Sequence, residues 1–160
     1  MSARPGLLLL PGLVTDERLW QPQSDALTAG VSQIKVAELG GADSIAALAT
    51  SALAQAPDGS FAMAGLSMGG YVAMEIMRQA PSRVLGLALL DTSARPDTPE
   101  ATENRRKAMA LAETHYSAVI DALMPRLLHP SKLQEATLTG LVSDMALKAG
   151  KAVFQRQQSA

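Results

Sequence analysis

The chain has 160 residues, enough for one domain with a buried core, and its 48% hydrophobic and 18% charged content is that of an ordinary globular protein. A formal charge of −1 with no basic run argues against a nucleic-acid partner, and the absence of cysteine excludes disulfides, thiolate catalysis and zinc–thiolate sites. No segment approaches the ~20 apolar residues of a membrane helix. The apolar run Leu7 to Leu10 is cut by Pro11-Gly12 with no small-residue cleavage site after it, so neither a signal peptide nor a membrane partner is expected, and the location reads as cytoplasmic.

Extended and helical patterns alternate through the first ninety or so positions. Gly6 to Leu10, "GLLLL", is a short continuous apolar run closed by Pro11-Gly12, the pattern of a strand buried on both faces. A helix is expected from about Glu17 to Thr28, with Gly30 ending it, and Ser32 to Leu39 alternates as a second strand. Gly40-Gly41 turn the chain, Asp43 or Ser44 caps an alanine-rich helix, and Pro57 stops it. Ser60 to Ala64 reads as a third strand, Met68 to Ala80 as a helix stopped at Pro81, and Arg83 to Leu90 as a fourth strand. Strands alternating with helices predict an α/β fold, a mostly parallel sheet of about four strands wound on both faces.

After Asp91 the pattern becomes helical. Asp97 or Thr98 is expected to cap a helix with Pro99 in its first turn. Met109, Ala112, Tyr116, Val119, Ile120 and Leu123 fall on one helical face, and a Ser131–Gln134 capping box is expected to open a further helix. The chain thus divides into an α/β part, 1–94, and a helical part, 95–160.

The junction between third strand and following helix carries Gly65-Leu66-Ser67-Met68-Gly69. A serine placed on a sharp strand-to-helix turn projects out of the fold, and glycines two residues either side remove the clashes its strained backbone creates. The N–H of the next residue, Met68, then faces the substrate oxygen at the positive end of the helix. Ser67 is therefore the candidate nucleophile. A helix-capping serine in a glycine turn is the plain alternative. Dinucleotide binding fits less well: G-x-G-x-x-G needs glycine where Ser67 stands, and Tyr71 occupies the last glycine of the short-chain variant. No cofactor or metal motif is present.

An oxyanion hole takes a second donor from a loop after a neighbouring strand. Pro11-Gly12-Leu13, after the first strand and ahead of Trp20, offers the Leu13 N–H. Together these residues resemble the α/β-hydrolase superfamily. "PGLVTDERLW" resembles its oxyanion loop, "GLSMGG" its nucleophile elbow, and "LLDTSARP" the strand leading into a helical cap. The resemblance implies that the first strand lies between the second and third, with the fourth outside the third. The crevice at the switch point then holds Leu13, Ser67 and Met68. It implies a serine hydrolase, a carboxylesterase acting on a small ester.

That family supplies its acid and histidine after the nucleophile, in that order. No acid or histidine follows residue 144 here. Ser67, Asp91 and His129 have the right order, yet His129 and His115 read better as surface residues of the cap, and Asp91 as a strand-end residue bonding nearby backbone. The fourth strand, apolar on both faces, would leave one edge open and prone to self-association. Both absences read as a hydrolase without its last third. The alternative is a catalytically incompetent hydrolase fold that binds a ligand or partner.

Overall fold

Residues 4–160 are described by the computed structural model; the first three positions of the α/β part lie outside them. Strand β1, Gly6–Leu10, is buried along its whole length, as an uninterrupted leucine run requires. It pairs in parallel with β2, Gln33–Val36, on one side and with β3, Phe61–Leu66, on the other. Strand β4, Val84–Leu90, pairs in parallel with β3, giving the order β2-β1-β3-β4. This is the order that the resemblance implies, with the direction of winding reversing between β1 and β3.

Side chains alternate across the sheet. Leu8, Leu10, Phe61 and Met63 pack on helices α2, Ile45–Gln55, and α3, Met68–Gln79, through Leu48, Ala52, Val72 and Ile76. Leu7 and Leu9 turn to the opposite face and pack on Trp20. Ser44 caps α2, its hydroxyl accepting from the Ala47 N–H. The expected first helix is split: a 3-10 turn over Glu17–Trp20 runs into α1, Gln21–Leu27. Pro22 sits in the first turn of α1, where its missing N–H costs nothing.

Two long helices follow, α4, Pro99–Leu127, and α5, Ala136–Ser159. Thr98 caps α4. The apolar face read from sequence does form its core, Ala112, Val119 and Ile120 packing with Val14, Ala146 and Phe154. The hydroxyl of the half-buried Tyr116 donates to the Ala146 carbonyl, and burial pushes its pKa up to about 12. Leu13 touches both this helical core and the sheet core, so the loop after β1 is where the two meet.

The Ser131–Gln134 capping box does not form. Pro130 opens a 3-10 turn over Pro130–Lys132 that His129 caps, and α5 begins later, behind Glu135, without a side-chain cap. The Ser131 hydroxyl is engaged with His129 Nδ1 at 2.9 Å instead. Among the described residues no helix is long and apolar enough to cross a membrane.

Candidate active site

β3 ends at Leu66 and α3 begins at Met68, so a single residue makes the turn between them. That residue is Ser67, with φ 52 and ψ −116, a conformation an L-residue adopts at a cost of about 1–3 kcal/mol. Its neighbours over-determine it. The Ser67 N–H donates to the Leu90 carbonyl at 3.0 Å. Its carbonyl accepts from the Gly70 N–H at 2.9 Å and from the Thr92 hydroxyl at 2.8 Å. The side chain makes no cap bond to α3 and the residue is exposed, so the helix-capping alternative does not describe it.

Glycine is compulsory on either side. A Cβ on Gly65 would stand 2.4 Å from the Gly69 carbonyl oxygen, and one on Gly69 would stand 2.1 Å from the Leu10 carbonyl oxygen. Both clashes are with backbone, which cannot swing aside. The elbow therefore packs directly against the end of β1, and the loop that follows β1 lies beside the serine: a Cβ on Gly12 would sit 3.7 Å from Ser67 Cβ.

Leu13, Ser67 and Met68 line one cleft of about 420 Å³. The Gly12 carbonyl accepts from the Thr15 hydroxyl at 3.0 Å and from the Thr15 N–H at 3.4 Å. Because a trans peptide is planar with C=O and N–H opposed, this holds the Leu13 N–H on the other side of that unit. Among the described residues neither the Leu13 N–H nor the Met68 N–H has an acceptor within the protein. The Met68 N–H is one of the unsatisfied donors at the start of α3, where the helix dipole is positive.

The other predicted groups stand elsewhere. Asp91 is exposed at the end of β4, with φ 43 and no side-chain hydrogen bond among the described residues; Thr92 makes the backbone bond instead. His115 is exposed at a kink in α4 and touches the Thr114 hydroxyl, while His129 is exposed and touches Ser131. Neither histidine lines the cleft. Among the described residues no cluster of three or more acidic or histidine side chains is placed to hold a metal.

The cleft also holds polar residues that sequence reasoning missed. Asp97 and Arg105 form an ion pair on its wall, and Arg105 donates to Gln158 at 3.1 Å. The Arg105 guanidinium holds the Asp97 carboxyl below its usual range, and Asp97 in turn raises the Arg105 pKa. No standard helix spacing announces a pair eight residues apart that reaches back over a helix cap. Gln157 and Gln158 reach the cleft because α5 returns over the loops after β1 and β2, where Arg156 Nε also donates to the Gly40 carbonyl at 2.9 Å. Arg18 ties the same helix down, pairing with both Asp16 and Asp144.

Comparison with solved structures finds this fold repeatedly. A thermophilic esterase from Thermogutta terrifontis superposes with a TM-score of 0.82 at 28% identity, over 98% of this chain and 62% of its own. An enol-lactonase from Burkholderia xenovorans gives 0.83 at 22% identity, over 99% and 65% of the two chains. A hydrolase from Pseudomonas aeruginosa gives 0.83 at 22% identity, over 98% and 63%. The chain thus spans less than two thirds of the length of each. No curated protein sequence matches it. The thioesterase domain profile matches residues 13–158, nearly the whole chain. With an all-parallel sheet in α/β-hydrolase order and that match, the chain belongs to the thioesterase domain family of the α/β hydrolases.

Proposed function

We propose that the protein is a serine hydrolase that cleaves small carboxylic esters at Ser67. The observation that carries this reading is the strained, exposed serine sharing a cleft with two residues whose N–H groups have no acceptor among the described residues. Ser67 Oγ attacks the ester carbonyl carbon, and the negative charge that develops on the oxygen is received by the Leu13 and Met68 N–H groups. Each such donor contributes ~2.7–4 kcal/mol to the transition state. The proton Ser67 gives up passes through solvent water to the leaving oxygen, so collapse of the tetrahedral species expels the alcohol and leaves an acyl-serine, which water then hydrolyses to the acid and free serine. The similarity to a solved esterase at 28% identity supports an oxygen ester as substrate. Leu13, Met68 and Ile45 give the acyl group an apolar wall.

Serine needs a base to take its proton, and among the described residues no histidine lines the cleft. The 160-residue chain is therefore expected to react slowly, through binding and the oxyanion donors alone. The same observation favours a second reading, a hydrolase fold that binds a ligand or partner without turnover.

Intact-mass measurement after exposure to a fluorophosphonate separates the two. One adduct per chain, located at Ser67 and absent from Ser67→Ala, is expected. Equal labelling of both proteins removes Ser67 from the chemistry and leaves the binding reading.

A further inference from the structure

The loop after β1 contains a second strained residue. Val14 has φ 46, a left-handed conformation that β-branched residues avoid, and it is buried. Its N–H donates to Gln157 Oε1 at 2.8 Å, while Gln157 Nε2 donates to the Leu39 carbonyl at 2.9 Å. Gln157 is 6% exposed and is the single buried polar side chain among the described residues. A buried amide must have its donor and acceptor satisfied. Here both are satisfied by main chain, from the loops that follow β1 and β2, and the two partners lie more than a hundred positions away in sequence.

We infer that Gln157 is a positioning residue that fixes the direction of the Leu13 N–H, an inference that rests on the roles proposed above for Ser67 and Leu13. Leu13 lies between two peptide planes. Thr15 holds the first through the Gly12 carbonyl, and Gln157 holds the second through the Val14 N–H. Planar peptides leave only the φ and ψ of Leu13 free between them. Pinning both planes therefore sets where the Leu13 N–H points. Releasing the second lets Val14 relax out of its left-handed conformation, and the Leu13 torsions follow. Gln157 thus acts on a bound carbonyl through Leu13, without a bond to the reacting atoms.

The test compares wild type, Gln157→Leu and Gln157→Glu by two readouts, the rate of Ser67 phosphonylation by a fluorophosphonate and the amide 1H–15N resonance of Leu13. Gln157→Leu leaves the Val14 N–H and Leu39 carbonyl unpaired; it is expected to shift the Leu13 resonance and slow phosphonylation about tenfold or more. Gln157→Glu is expected to do the same above about pH 7, where a carboxylate would face the Leu39 carbonyl oxygen. On acidification the introduced carboxyl group gains a proton to donate to Leu39 and still accepts from Val14. Its rate should then return to within about twofold of wild type at the same pH, a pH-dependent rescue that ties the rate to the Val14 and Leu39 bonds. This second variant carries the test if Gln157→Leu fails to fold. An unmoved Leu13 resonance in the variants overturns the inference, as does Ser67 labelling at the wild-type rate at every pH. Labelling of wild type no faster than of Ser67→Ala overturns the Ser67 reading instead, and the Leu13 resonance then decides the role of Gln157 by itself.

Discussion

β3 and β4 are adjacent strands of similar apolar content with opposite surroundings. In "FAMAGL" every second residue is buried, because β3 lies between β1 and β4 and α3 packs on it. In "VLGLALL" every residue after Val84 is exposed, including Leu85 at 63% and Leu89 at 45%. The contrast teaches that an apolar run specifies a strand, while burial depends on what the topology lays against it. The elbow straddles the two regimes. Gly69 presses on the covered side against the end of β1, and the backbone hydrogen bonds of Ser67 reach the exposed side at Leu90 and Thr92.

The largest effect that would break this contrast is at the covered side. Gly69→Ala drives a Cβ into the Leu10 carbonyl, and a loss of about 3 kcal/mol or more is expected in urea unfolding. The matching change on the open strand, Gly86→Ala, meets nothing within 4 Å and should instead gain about 0.5–1 kcal/mol, since glycine is a poor strand residue. Equal losses at the two positions would show that the elbow against β1 and the open strand β4 are crowded alike.

A second comparison concerns association. We propose that the open β4 edge and its exposed leucines pair with another copy, as unpaired apolar edges do. Light scattering is expected to find wild type self-associating, and Leu85→Lys with Leu89→Lys less so, at a stability cost within about 0.5 kcal/mol. A monodisperse wild type would refute the edge proposal.

The smallest effect is electrostatic. Asp97 has a folded pKa below its ordinary value because of Arg105, so the stability it contributes is complete above the unfolded pKa and is lost as pH falls through the folded one. Both side chains are about one third exposed, which screens the pair. Melting temperature should therefore fall slightly more on acidification below about pH 4 in wild type than in Asp97→Asn, a difference that added salt diminishes.

Much of the architecture was legible in the sequence. The leucine run, the Gly-x-Ser-x-Gly junction and Pro57 and Pro81 mark local conformations that later packing does not overrule, and family resemblance carried the strand order. What was not legible depends on tertiary return. Gln157 meets Val14 because α5 folds back over β1, and no local pattern encodes a contact across that distance. The capping box failed for a local reason: Pro130 made a 3-10 turn that took Ser131 out of the next helix. Of the two candidate caps for α4, Thr98 takes the role, which leaves the Asp97 carboxylate for Arg105.

The most direct measurement of the central claim is a crystal structure of the protein after reaction with a fluorophosphonate. The account predicts a phosphonyl group on Ser67 Oγ with its oxygen about 2.7–3.1 Å from both the Leu13 and Met68 nitrogens. An adduct on another residue, or a phosphoryl oxygen turned to solvent away from those two N–H groups, would contradict it.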